Sequence, residues 1–374
     1  MTLISTSAII SGKLWKNGVL PMKKAVTLDE IYNRRYRILF WIMSLLILLV
    51  GISSLYMGRF TKIHVSDIPK ILLRYIFPNI EKTWTATDEQ VIMHLRLPRV
   101  IGALVVGASL AISGASYQSL FSNPVASPDT LGVSAAASFG AVLAMVLDFD
   151  VLGTKVMAFL FGCMIVFGVF YISSKISKGR NLTVFLVLIG MIASALFQAL
   201  LSILKYTADP VDELPKITYW LMGSFSHMKL SDLLFCLVFF LIGAVPLFLL
   251  RWRQNLLSLS ESEARSMGEN VNRLRLITVS CATLLTSSAV AMTGGISWVG
   301  LVIPHITRFI VGPDSRKVLP ISAMIGALFL LVLDDIARAS SVYELPMSVL
   351  TSLIGAPIFF AVILKTRRQM SDGN

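Results

Sequence analysis

Asp, Glu, Lys and Arg are absent from nine stretches of the chain: 38–58, 100–128, 130–147, 156–174, 181–204, 233–250, 276–304, 318–333 and 345–364. Each approaches or exceeds the roughly 20 apolar residues that a helix needs to cross a bilayer. The run from 276 breaks at Gly294-Gly295, and a further apolar segment follows at 296–311, interrupted by His305 and Arg308. The pattern predicts ten spans. In lipid each span must satisfy its own backbone hydrogen bonds, so helices are expected. Strand-like alternation is absent, which argues against an outer-membrane barrel.

Composition narrows the class. Hydrophobic residues make up 55% of the 374 and charged residues 14%, with a mean hydropathy of +0.76. A soluble domain carries about 25% charged residues. The expectation is an all-α polytopic membrane protein: one transmembrane domain over 38–366, between cytoplasmic tails at 1–37 and 367–374. The net charge of +12 admits two partners, nucleic acid or the membrane itself. Basic clusters between apolar spans favour the membrane, because orientation follows the placement of Lys and Arg. With the N-terminus inside, 21 basic residues fall on the cytoplasmic side and 12 outside. Both termini are therefore expected in the cytoplasm of a cell that holds the chain in its plasma or inner membrane. The first outer stretch, 59–99, carries seven basic residues and is the exception, a candidate docking surface. The first 37 residues are too polar for a cleavable signal peptide, and Met22, followed by Lys23 and Lys24, is a candidate start.

The spans are rich in small residues, such as Gly102, Gly107, Ser113 and Gly114, which let helices approach closely in lipid. Chemistry is sparse. The G-x-x-x-x-G-K-[ST] loop of P-loop ATPases is absent, and so is H-E-x-x-H metal spacing. Cys163, Cys236 and Cys281 lie in apolar runs without ligand spacing and read as core residues. His305 beside Pro304 reads as a packed histidine. No catalytic cluster and no cofactor is expected. Asp334 and Arg338, four apart, are expected to pair near the outer end of the ninth span. Few carboxylates fall inside the spans, whereas an ion-driven secondary transporter needs them near the midplane. That rival reading is disfavoured, and the energy source is expected on another chain. Residues 256–276, LLSLSESEARSMGENVNRLRL, join two spans on the inner side. Ser260 with Glu263 forms a capping-box pattern, and Gly268 is a C-terminal stop. A short helix here is either a handle for a soluble partner or a solvated connector.

Five motifs together resemble a known family. They are LRLPR at 95–99, GASLAISGASYQSLFSNPVASPDTLGVSAA at 107–136, EARSMG at 263–268, VGLVIPHITRFIVGPD at 299–314 and ELPMSVLTSLIGAP at 344–357. In this order and spacing they are similar to the iron-siderophore, haem and cobalamin importer permeases, the membrane subunits of type II ABC importers. The resemblance spans roughly 85–370. It implies a ten-helix permease paired with a second permease chain, identical or closely related, and embedded in membrane lipid. It also implies two cytoplasmic ATPase subunits and an extracytoplasmic substrate-binding protein. Arg96, Arg99 and Arg338 match outward-facing arginines that dock the binding protein. Glu263, Ala264, Arg265, Met267 and Gly268 match the coupling helix that sits on the ATPase, within 260–269. Gly312, Pro313 and Asp314 match a second cytoplasmic turn beside it. Ser315 and Ser348, and the Ser127-Pro128-Asp129 sequence, depart from the usual pattern. The implied mechanism is alternating access without chemistry on the cargo. Iron(III)-siderophore is the modal cargo, with haem and cobalamin behind.

Overall fold

The computed structural model describes residues 28–57, 64, 66–75, 77–177, 182–340 and 344–371. Met22 and most of the expected N-terminal tail lie outside the described residues. The helices follow in chain order. The first three are α1 (Leu28–Tyr56), α2 (Asp67–Arg74) and α3 (Ala86–Gln90). A six-residue π-helical stretch, Val91–Arg96, then runs directly into α4 (Leu97–Leu120). The chain continues through α5 (Val133–Val146), α6 (Val151–Ser177), α7 (Leu182–Thr207), α8 (Glu213–Met222) and α9 (Leu230–Leu249). It closes with α10 (Glu261–Ser266), α11 (Val271–Thr293), α12 (Val299–Val311), α13 (Ser315–Ser340) and α14 (Met347–Ser371). No strand occurs among the described residues.

Seven of these helices are long and apolar enough to cross a membrane, and α5, α12 and α14 add three shorter apolar ones. The ten expected spans therefore each hold a helix, and the chain is a multi-pass membrane protein. Two differences from the expected boundaries bear on the packing. The charge-free run 100–128 does not stay helical: α4 stops at Leu120, and a turn of 3-10 helix at Pro128–Leu131 precedes α5. Pro124 and Pro128 cannot supply the N–H groups a continuing helix needs. Second, α1 begins within the expected polar tail, because 28–37 contains no Gly or Pro to stop it.

Helices α5 and α12 have 14 and 13 residues, so each spans only about 20 Å of a roughly 30 Å core. The missing length is made by non-helical chain folded back into the protein. Pro128 lies 3.3 Å from where a Cβ on Gly300 would sit, and the Ser194 amide 3.1 Å from one on Gly132. Leu110, Ser194 and Thr286 all lie well inside their helices, so the Pro128–Leu131 turn sits at about half the depth of the helical bundle. Irregular backbone is tolerated there because it is packed in protein or lines a cavity.

Helices α4 and α11 form the centre, buried along almost their whole length. The small residues perform as expected. Gly107 faces the Gly326 backbone of α13, and Gly114 faces the Gly300 backbone of α12, each closer than any side chain would allow. Hydroxyls fasten the centre: Ser113 Oγ lies 2.6 Å from Thr286 Oγ1 and donates to Ala282 O at 2.8 Å. Tyr117 Oη meets Thr283 Oγ1 at 2.9 Å. Around this centre α1, α7 and α9 expose large apolar side chains, such as Trp41, Ile192 and Leu234.

Candidate functional site: a braced platform, an arginine corner and a cavity between them

At one end of the bundle, the one expected to lie inside, α10 forms as its residues dictate. Ser260 adopts extended backbone at φ −61° and ψ 152°. Its hydroxyl accepts from the Glu263 amide at 3.3 Å, and Glu263 Oε2 accepts from the Ser260 amide at 3.0 Å. The Ser260 hydroxyl and amide hydrogen bonds hold the Glu263 carboxyl below the usual carboxylate range. Gly268 stops the helix at φ +80°, in the left-handed region that glycine enters without steric cost. Ala264 is buried against the protein, whereas Met267 and the paired Arg265–Glu261 side chains (2.6 Å) face outward.

The second predicted turn lies beside α10 and is tied to the same segment. Asn255 donates through Nδ2 to Asp314 Oδ1 at 2.8 Å, and its Oδ1 accepts from the Ser315 amide at 2.8 Å. Gly312, at φ +84°, leaves room for the ring of Tyr32 from α1. Arg253 grips Glu269 through two hydrogen bonds of 2.6 Å. Residues 253–269 and 312–315 thus form one braced platform. Burial pushes the Asp314 carboxyl up, but hydrogen bonds from Asn255 and Arg316 outweigh it, and the net shift is downward. Sequence reasoning missed Asn255, since its partners are 59 and 60 residues away.

At the opposite end of the bundle the three predicted arginines converge, but they point into the protein. Arg96, 5% exposed, donates to Leu55 O at 2.7 Å and Tyr56 O at 3.3 Å. Arg338 donates to Met57 O at 3.0 Å and to the Ser54 hydroxyl at 2.6 Å, and it pairs with Asp335. Cations suit this place, the carbonyl-bearing C-terminus of α1. Arg99, 8% exposed, holds Asp334 through three contacts of 2.8–3.0 Å and Glu344 through contacts of 2.7 and 2.9 Å. The expected Asp334–Arg338 pair is present at 3.3 Å. The corner fastens α1, α4, α13 and the segment before α14. Only Glu344 keeps substantial exposure.

Between the two ends lies a cavity of about 180 Å³, lined by Ser127, Asp129, Ser134, Thr286, Ser297 and Trp298 among others. Asp129 is a carboxylate at half depth that the sequence reading left in a loop. The description of the chain as poor in midplane carboxylates is corrected to that extent. Among the described residues no group of His, Cys, Asp or Glu could hold a metal ion.

Residues 45–365 match the model of the FecCD transport family. The chain belongs to the FecCD transport family. The molybdate import system permease MolB of Haemophilus influenzae is 40% identical over 329 residues, covering 87% of this chain and 95% of MolB. The "Probable iron chelatin transport system permease protein" of Helicobacter pylori is 38% identical, over 74% and 83% of the two chains. A solved inward-facing conformation of a metal-chelate type ABC transporter superposes with a TM-score of 0.77 at 38% identity, covering 88% and 99%. This FecCD chain is therefore a permease subunit of an ABC importer. The type II importer architecture expected from the motifs is the one observed.

Proposed function

We propose that this FecCD permease pairs with a second permease chain and moves iron(III)-siderophore complexes inward by alternating access. Two cytoplasmic ATPase subunits power it and an extracytoplasmic binding protein delivers the cargo. The supporting observation is the braced inner platform. A push on Met267 and Arg265 reaches Asp314 and α13 through Asn255, and α13 packs along α4 to the outer corner. Rigid transmission of this kind is what a bistable gate requires. The iron chelatin relative supports the cargo class, with haem and cobalamin as alternatives. MolB, the more identical relative, supports a second reading, an oxyanion.

Docking of the binding protein falls on the outer corner in this reading, with a change of mechanism. The arginines are already paired, so a carboxylate on the binding protein would compete with Glu344 for Arg99. The test of function is uptake of labelled ferric siderophore, haem, cobalamin and molybdate in cells with and without this chain. Loss of ferric-siderophore uptake alone is expected. Loss of molybdate uptake alone would replace the cargo reading.

A further inference from the structure

Asp129 is an exposed residue that lines the half-depth cavity. Ser127, Ser134, Thr286 and Ser297 bring hydroxyls to the same cavity, and none of the lining residues is basic. A carboxylate at that depth cannot face lipid without a large penalty, so it faces water or a second chain. A second observation selects water. Helix α7 carries Ser194, Gln198 and Ser202, four residues apart and hence on one face. Gln198 Nε2 donates to Ser194 Oγ at 3.3 Å, and both Gln198 and Ser202 are exposed. The neighbouring exposed side chains of α7, Leu188, Ile192, Leu196 and Ile203, are lipid-like. Ser194 abuts Gly132, three residues from Asp129. A polar track therefore leads from the Asp129 cavity along α7 toward its C-terminal end.

We propose that Asp129 is a charge filter in the permeation path: species passing half depth are neutral or cationic, and oxyanions are turned away. This rests on the importer reading above and narrows it. Neutral or cationic ferric chelates, of the hydroxamate type, fit the filter. Molybdate and tris-catecholate chelates, both anionic, do not, and in a pair of identical chains the negative charge would be doubled. A fixed charge on low-dielectric walls raises the local concentration of ions of opposite sign, and carboxylates are the usual device for selecting cations in membrane pores.

The test uses the permease assembled with its ATPases and binding protein in membranes. Cys163, Cys236 and Cys281 are replaced by Ala, and Ser297→Cys supplies a thiol in the cavity. Its modification rates by a cationic and an anionic methanethiosulfonate are each divided by the rate with glutathione. The cationic reagent is expected to react about tenfold faster, and Asp129→Asn should bring the ratio close to one. An unchanged ratio in Asp129→Asn, or no modification by either reagent, overturns the proposal. With the native cysteines in place, uptake of radiolabelled ferrioxamine B, a cationic ferric hydroxamate, is compared with radiolabelled molybdate. Ferrioxamine B is expected to be favoured, and Asp129→Lys should reverse the preference. Molybdate transported as fast as ferrioxamine B by the unaltered chain overturns the filter. Labelling requires no transport, so charge-selective labelling without any uptake would support the filter and strike the importer reading.

Discussion

Arg99 shows how far one side chain can matter in this protein. Its guanidinium is the counter-charge of Asp334, which has no exposed side-chain surface. Removing it leaves that buried carboxylate with only the longer 3.3 Å contact to Arg338, a loss on the order of 3 kcal/mol. Arg99→Ala should therefore lower the thermal unfolding temperature in detergent by many degrees, and Glu344→Gln much less. If the binding protein competes with Glu344 for Arg99, Glu344→Gln should tighten its docking severalfold; unchanged affinity in a surface-immobilised binding assay would remove Arg99 from the docking face. Asp314 gives a pH prediction. Its folded-state carboxyl titrates below the ordinary range, so the stability it contributes is present above that range and is lost as pH falls through the depressed value. Acidification should loosen the platform in the intact chain and do so less in Asn255→Ala, read as hydrogen exchange at 312–316.

Among the elements, α4 and α12 meet where Gly114 packs on Gly300, backbone on backbone, with no room for a Cβ. A methyl at 114 would drive the helices apart, and overpacking of this kind costs about 1–3 kcal/mol or more. Gly114→Ala should unfold at lower temperature, whereas Gly168→Ala, with open space around it, should not. The short helix α10 is the element proposed to make contact with a partner. Its cap, its stop and its buried Ala264 serve the fold, and Arg265 and Met267 are left facing outward. If α10 couples to an ATPase, Arg265→Glu should leave the complex assembled while raising the ATP hydrolysed per cargo molecule several-fold. An unchanged ratio would make α10 a plain connector.

Viewed whole, the molecule is a stiff centre of α4, α11 and α13 between a braced inner platform and a braced outer corner, with a lipid-facing rim. Its apolar segments, their number, the capping box of α10 and the stop at Gly268 were legible from residues alone. Each depends on hydropathy or on neighbours within four positions, and such local signals survive without knowledge of the fold. Three features were not legible. Asn255 reads as an ordinary polar residue until Asp314 is brought to it from 59 positions away. The arginines of LRLPR and DDIAR read as outward charges, because sequence gives depth from hydropathy but not the direction of a side chain. Asp129 reads as a loop residue at the inner surface, because a charge-free run does not reveal where its helix breaks and folds back. Local hydrophobicity determined that this chain lives in a membrane and how often it crosses. The packing of distant segments against one another decided which charges are clamped and that Asp129 lines a cavity.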